Sequence, residues 1–246
     1  MTAVRVIGLA AVCLATTQAF ALEQGEHRFN GFGTLGVTHL SGEDDGRSYG
    51  IQGQTNDSWR GDQLSKFGAQ LSYGVTDTVG VTVQATAKAQ QDEWKANLEW
   101  AYLSWQTNDQ LMLRAGRLRS PVYMYSESLD VGYSYPWLRL PDEVYSQVQV
   151  TSYEGVDAVY TLPLSYGSVT FQVAGGQAKD RDYYAYDEQF DIDYGNLFGA
   201  SVSLATNDFG TLRIGYVEAD IKTDISGTVN VGGGMMMPLS LLSLDK

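Results

Sequence analysis

The chain has 246 residues, with 29 acidic and 16 basic side chains and a formal net charge of −13 at pH 7. Nucleic-acid binding needs a basic surface, so this acidic balance excludes nucleic acid as a partner. Beyond the N-terminal leader there is no run of about 20 apolar residues, which excludes a helical membrane protein. A mean hydropathy of −0.20 with 12% aromatic residues fits both a transmembrane β-barrel and a soluble β-sandwich.

Residues 1–21 predict a cleaved signal peptide. Arg5 supplies the positive start, Val6–Ala15 is a short apolar segment, and Ala19–Ala21 is a small-x-small cleavage site. The apolar segment is too short to span a bilayer as a helix, and a buried helix or an N-terminal anchor is the alternative. Cleavage would remove Arg5 and Cys13, so the formal charge of −13 would become −14 and no cysteine would remain.

After the leader, segments of about ten residues alternate apolar and polar side chains. In Val79–Ala89 the odd-numbered residues are Val or Ala, and from Thr82 onward the even-numbered residues are Thr, Gln or Lys. Alternate side chains of a strand point to opposite faces, so such a segment has an apolar face and a polar face. Nine strands are predicted near Arg28–Ser41, Gly61–Tyr73, Thr78–Ala89, Lys95–Gln106, Gln110–Arg119, Gln149–Leu162, Ser168–Gly176, Tyr194–Thr206 and Thr211–Asp220.

Short and long connections alternate between these strands. Tight turns rich in Asn, Asp and Gly are predicted at Gly74–Asp77, Thr107–Asp109, Leu162–Gly167 and Asn207–Gly210. Longer links fall at Gly42–Arg60, Ser120–Val148, Gln177–Asp193 and after Asp220, and only Gln90–Trp94 is brief. This sorting places turns at one end of the sheet and loops at the other, which is typical of outer-membrane barrels and not of a sandwich.

Aromatic residues cluster near the predicted strand ends, where Tyr and Trp favour a membrane–water interface. Ordinary core packing is the alternative for each of them. The strand Lys95–Gln106 carries aromatic residues on both parities, so its two faces stay unassigned.

The link Ser120–Val148 follows the segment Gly116–Pro121 and is too long for an ordinary connection, which indicates a function. Its prolines and aromatic residues favour an ordered loop. Here the chain resembles the trimeric Gram-negative porins. In that family a Gly-Arg-x-x-Ser/Thr-Pro-like segment closes the fifth strand, and the third extracellular loop then folds into the barrel.

The resemblance implies an all-β fold, an antiparallel transmembrane β-barrel of sixteen strands that passes small hydrophilic solutes by passive diffusion. It also implies an outer-membrane location among lipid and lipopolysaccharide, and a homotrimer. Loop acids would face wall bases across a constriction, and the transverse field would screen solutes by size and sign. By position, the loop acids would be Glu127 and Asp130, and the wall bases would be Arg114, Arg117, Arg119, Lys66 and Lys88. For each arginine, a solvated strand-end residue or a local ion pair is the alternative.

The resemblance covers about residues 22–220, and the chain departs from the family in three respects. Nine strands do not close a bacterial barrel, because single-chain barrels use even numbers. The tail Thr228–Lys246 does not alternate and does not end in an aromatic residue. The brief link Gln90–Trp94 weakens the trimer inference, since in the family that loop helps to latch neighbouring subunits. The sequence is therefore interpreted as the N-terminal portion of a porin, with residues 221–246 an atypical, truncated or frame-shifted tail.

Two other functions stay open. A non-conducting surface barrel or adhesin would bind a partner through acidic, Tyr-rich loops such as Gln177–Asp193, whereas a soluble sandwich would bind glycans through its tyrosines. The acidic loops lack the spacing of a calcium loop, so a solvated loop is favoured over a cation site. His27 and His39 are the only histidines, and no Ser/His arrangement accompanies them, so no enzyme, metal or cofactor is predicted.

Overall fold

The computed structural model describes residues 5–9, 22–39, 59–62, 64–90, 93–137, 140–145, 150–185, 188–223, 227–230 and 236–239. Antiparallel β-strands dominate these residues, so the fold is all-β. The strands are β1 (Arg5–Leu9), β2 (His27–His39), β3 (Trp59–Arg60), β4 (Lys66–Gly74), β5 (Val79–Gln90), β6 (Glu93–Gln106), β7 (Leu111–Arg119), β8 (Ser152–Leu164), β9 (Gly167–Ala185), β10 (Glu188–Thr206), β11 (Gly210–Thr223), β12 (Gly227–Asn230) and β13 (Met236–Leu239). Two short 3₁₀ turns, Ser126–Ser128 and Gly132–Ser134, and the one-turn helix α1 (Asp142–Tyr145) lie between β7 and β8.

One large sheet contains eleven of these strands, in the order β1-β2-β4-β5-β6-β7-β8-β9-β10-β11, with β3 also paired to β2. Chain neighbours are sheet neighbours throughout β4–β11, as expected when short turns join antiparallel strands. Within the described residues β11 pairs only with β10, so the sheet is open at this edge. At the other edge Arg5–Leu9, inside the predicted leader, pairs as β1 with Leu35–His39. The strands β12 and β13 form a separate two-stranded sheet.

The strands predicted from the period-two alternation agree with those of the structure. All nine predicted strands are confirmed, as β2 and β4–β11. The predicted short turns are confirmed between β4 and β5, β6 and β7, β8 and β9, and β10 and β11. The brief link between β5 and β6 is confirmed too, because only two residues separate Gln90 from Glu93.

The predicted loop Gln177–Asp193 is wrong. Strands β9 and β10 continue through it as a long hairpin, paired from Glu188↔Ala185 to Ile192↔Arg181. Phe190, Ile192 and Tyr194 alternate with Asp191 and Asp193, and this period of two already favours a strand over a loop. Register shifts on either side of Tyr194 interrupt the pairing without ending it. In the predicted link Gly42–Arg60, residues 42–58 lie outside the described residues, and Trp59–Arg60 form β3.

The two faces of the sheet differ in polarity, in the opposite sense to that of a water-soluble domain. Large apolar side chains on one face are exposed, such as Phe29 at 69%, Leu103 at 53% and Ile214 at 71%. On the other face polar side chains such as Gln84 and Gln172 are buried. We call these the convex face and the concave face, because the polar face lines an internal cavity described below.

A β-bulge explains the strand whose faces the sequence left unassigned. The pairing of β5 with β6 shifts between Gln84 and Ala85, so that Gln84 pairs with Trp100 whereas Ala85 pairs with Leu98. The extra residue is Glu99, and it is buried together with Trp100. Aromatic residues therefore reach both faces of β6 because the parity changes within the strand.

Candidate functional site

The concave face encloses a cavity of about 600 Å³. Arg28 of β2 and Arg213 of β11 both line it, although seven strands separate β2 from β11 in the sheet. The sheet therefore curls until its two ends face one space. Most of the remaining lining is hydroxyl and amide side chains, including Asn30, Gln70, Ser72, Thr82, Gln84, Ser104, Gln106, Thr170 and Gln172.

The long connection between β7 and β8 crosses this concave face in its described residues 120–137 and 140–145, and we call the segment 120–148 the constriction loop. Near its start the carbonyl oxygen of Pro121 accepts a hydrogen bond of 3.0 Å from Arg213 Nη2 of β11. A Cβ atom added to Gly199 of β10 would lie 3.3 Å from Pro121 Cγ, so the proline ring packs on that strand. Further along, a Cβ atom added to Gly132 would lie 2.7 Å from Thr34 Oγ1 of β2. The loop thus reaches from the β10–β11 side to β2.

Local hydrogen bonds and ring contacts order the constriction loop. Ser126 Oγ accepts from the backbone N–H of Tyr123 at 2.9 Å, which closes the first 3₁₀ turn. The ring of Tyr125 lies edge-on to those of Tyr135 and Trp137, with centroids 5.9 and 6.0 Å apart. Such aromatic contacts stabilise the described part of the loop beyond the area that they bury.

Arg114 connects the sheet to the constriction loop. It stands opposite Asp157 on the neighbouring strand, and its Nε and Nη2 donate to the two Asp157 carboxylate oxygens at 2.9 and 2.6 Å. Its Nη1 donates to Glu127 Oε1 of the loop at 3.0 Å. Gln172 Nε2 donates to Asp157 at 2.9 Å, so this buried carboxylate is fully engaged. The fork geometry of guanidinium allows both acids to be held at once.

Asp130 is the centre of a second ionic cluster. Lys88 Nζ lies 3.2 Å from Asp130 and 3.3 Å from Glu99, and Arg119 Nη2 contacts Asp130 and lies 2.9 Å from Glu99. Burial alone would raise the pKa of Asp130, but the charges of Lys88, Arg119 and Lys66 outweigh it and lower the pKa to about 2. The loop carboxylate is therefore ionised and bound to bases on two strands, Lys88 of β5 and Arg119 of β7.

Lys66 fixes the loop backbone beside this cluster. Its Nζ donates to the hydroxyl of Tyr135 at 3.2 Å and to the carbonyl of Leu129 at 3.4 Å. The Tyr135 hydroxyl in turn donates to the Leu129 carbonyl at 3.3 Å. Burial, followed by the charge of Asp130, raises the pKa of Tyr135 to about 12, so this phenol stays neutral.

The predicted site residues fall into three groups. Glu127 meets Arg114, while Asp130 meets Lys88 and Arg119 with Lys66 nearby. Arg117 lies apart from both acids. It pairs in register with Glu154 of β8. Its Nη1 lies 3.4 Å from Glu154 Oε1. Loop acids and wall bases are in direct contact, rather than facing each other across a gap.

Three residues of the site escaped the sequence analysis: Glu99, Asp157 and Arg213. For Asp157 and Arg213 the signal that could have identified them is a charged side chain at a polar-parity position between two apolar neighbours. Asp157 lies between Val156 and Ala158, and Arg213 between Leu212 and Ile214. Glu99 could not be identified in this way, because the β-bulge changes the parity within β6.

Two other features are absent from the parts of the chain that the structure describes. No helix there has the length and hydrophobicity needed to span a bilayer. The described His, Cys, Asp and Glu side chains form no group of three placed to hold a metal ion.

Comparison with known proteins does not assign the chain to a family. No protein-family model matches it, and no curated protein matches its sequence. The structure itself defines a class: an all-β protein built on one curled antiparallel sheet, apolar on its convex face and polar on its concave face. A long loop tied by ion pairs crosses the concave face.

Proposed function

We propose that this chain belongs to a porin-like outer-membrane β-barrel. Small hydrophilic solutes diffuse passively through its water-filled interior, which the constriction loop narrows, and no catalysis is involved. The observation that carries the proposal is the inverted polarity of the sheet together with the loop that crosses its concave face. Each half of this observation supports a different part of the function.

The convex face supports contact with lipid. Phe29, Phe67, Leu103, Val156 and Ile214 are between 47% and 71% exposed, on strands from β2 to β11. In water a continuous apolar surface of this extent would favour association or aggregation. In a bilayer the same surface would contact apolar lipid chains, whereas a charge there would cost about 2–4 kcal/mol at the midplane.

The concave face supports a hydrated interior. Its hydroxyl and amide groups can hydrogen-bond to water or to a solute, and a dry core would leave many of them unsatisfied. Trp100 Nε1, Ser120 Oγ and Tyr153 OH have no partner among the described residues. Such groups are the ones that ordered water satisfies.

The connections support an orientation. Tight turns join β4 to β5, β6 to β7, β8 to β9 and β10 to β11 at one end of the sheet. The constriction loop and the extended β9–β10 hairpin lie at the opposite end. Outer-membrane barrels place turns toward the periplasm and loops outside.

Closure into a barrel is part of this proposal, because the described strands form an open sheet ending at β11. An unpaired strand edge is not tolerated in hydrocarbon, since its backbone groups would have no partner there. The backbone groups at the edge of β11 must therefore be paired when the protein spans a membrane.

Electrical recording from planar bilayers tests the proposal. Protein extracted from membranes in detergent is expected to give discrete conductance steps after insertion. Recovery of the protein in the soluble fraction, or insertion without conductance, would contradict it. Recovery in the soluble fraction would favour the glycan-binding sandwich.

A second candidate function is a non-conducting surface barrel that binds a partner. The long hairpin favours it, because β8 stops pairing with β9 at Gln177 and Ala178–Ala185 then pair with β10 alone. Removing residues 180–191 is expected to abolish partner binding under this alternative. Under the porin proposal the same deletion leaves the conductance steps in place.

A further inference from the structure

We propose that the passage prefers small anions, such as chloride or phosphate, and that Arg213 sets this preference. The inference rests on the proposed function, because it identifies the solute class of the same cavity. Arg213 lies on β11, was not among the predicted wall bases, and lines the cavity.

The charges that line the cavity are mostly basic. Arg28, Arg114 and Arg213 are the basic lining residues, and Glu127 is the acidic one. Including the charges directly behind this surface, the two ionic clusters and Arg213 comprise five bases and four acids: Lys66, Lys88, Arg114, Arg119 and Arg213 against Glu99, Glu127, Asp130 and Asp157. The concave site therefore has a positive excess, although the whole chain has a charge of −13.

The hydrogen-bond and ion-pair partners of each base show which residue carries the excess positive charge. Arg114 is bound by two carboxylates, and Arg28 lies 3.7 Å from Glu26. The described hydrogen bonds of Arg213 go instead to neutral acceptors: the Pro121 carbonyl at 3.0 Å, Ser203 Oγ at 3.4 Å and Gln172 Oε1 at 3.5 Å. Its buried Nε has no partner among the described residues.

Arg213 forms no ion pair with a described carboxylate, although the charge of Glu127 acts on it from a distance. Such a guanidinium inside a narrow passage acts more strongly than an acid on an outer loop. Exposed charges are screened over about 8–10 Å at 0.10–0.15 M salt, whereas a partly buried charge is screened much less. A passing ion must come within a few ångströms of the cavity wall, so the wall charge dominates its selection. The acidic exterior then contributes mainly at low ionic strength.

Arg213 also holds the start of the constriction loop through Pro121, so charge and tethering must be separated. The variant Arg213→Gln removes the charge but keeps an N–H donor. The variant Arg213→Lys keeps the charge. Lys222 provides the matched control, because it is an exposed cation further along the same strand.

The test is the reversal potential of single channels in a tenfold KCl gradient at 0.1 and 1 M. Wild-type protein and the Arg213→Lys and Lys222→Gln variants are expected to show a chloride preference. In Arg213→Gln the chloride-to-potassium permeability ratio is expected to fall by at least about twofold.

A cation preference in conducting wild-type protein would overturn the inference and leave the proposed function intact. An unchanged ratio in Arg213→Gln would do the same. Absence of any conductance would overturn both together. The sign of the wild-type potential tests the anion preference even where Arg213→Gln does not insert.

Discussion

Arg114 and Asp157 face each other directly across β7 and β8 and share two hydrogen bonds of 2.9 and 2.6 Å. Both side chains are buried on the concave face, and the free Nη1 of Arg114 reaches Glu127 in the constriction loop. The loop is thereby held against the wall by a group that the sheet has already oriented. Because Asp157 already orients Arg114, less conformational entropy is lost when Glu127 binds to it.

Replacing Asp157 with Ala is expected to lower the free energy of unfolding by about 3 kcal/mol, because the buried guanidinium loses its two-bond partner. Urea titration of the protein in lipid vesicles measures this loss. Glu154→Ala is the control, since that carboxylate is 43% exposed and an exposed pair contributes about 1 kcal/mol or less. Equal losses in the two variants would contradict the assignment of Asp157 as the principal anchor.

Acid is expected to release the constriction loop only below about pH 4. Asp130 has a pKa lowered from 3.8 to about 2, so its contribution to stability is complete above the ordinary value. The contribution decreases as pH falls from about 4 to about 2 and the carboxylate becomes protonated. Channel current should therefore be quiet at pH 5–7 and fluctuate at pH 3 and below.

The variant Asp130→Asn should show these fluctuations already at pH 7, because its side chain is neutral at every pH. Glu143→Gln is the matched control, as this exposed loop acid lies outside the Asp130 cluster. Fluctuations that begin near pH 6 in the wild type would show that another group releases the loop.

Much of the fold follows from one local property of the sequence. A period of two in side-chain polarity requires only neighbouring residues, so the alternation located β2 and β4–β11 without knowledge of their partners. The position of Arg114 on the concave face follows in the same way. The acidic composition of Gln177–Asp193 led to the prediction of a loop. The period of two, carried by Phe190 and Ile192, favoured the strands that the structure shows there.

The candidate site was less predictable because its contacts join distant parts of the chain. Pro121 and Arg213 are 92 positions apart, and local spacing contains no information about that contact. The β-bulge at Glu99 adds one residue to β6 and reverses the parity on which face assignment depends. Arg117 was counted as a wall base from a motif, yet its ion pair is with Glu154 of the neighbouring strand and not with a loop acid.

Substituting Gly116 with Ala is expected to destabilise β7 by about 2 kcal/mol or more. Gly116 has φ +136°, and an added Cβ atom would lie 2.4 Å from the carbonyl oxygen of Ala101 on β6. Backbone atoms cannot move aside as a flexible side chain can. Gly61→Ala is the control, because its added Cβ would meet nothing within 4 Å. Urea titration in vesicles should show a loss for Gly116→Ala alone.

A charge on the convex face separates a bilayer environment from an aqueous one. Ile214 is 71% exposed near the middle of β11, and Ile214→Arg is expected to cost about 2–4 kcal/mol if lipid covers it. On a soluble sandwich the same exposed substitution would change stability by about 0.5 kcal/mol or less. Phe209→Arg is the control, since this residue is 94% exposed in the turn between β10 and β11, which the proposed barrel would place outside the hydrocarbon. Urea titration in vesicles should therefore show a lower free energy of unfolding for Ile214→Arg and an unchanged one for Phe209→Arg. Equal and small effects would place Ile214 in water and contradict lipid contact at the convex face.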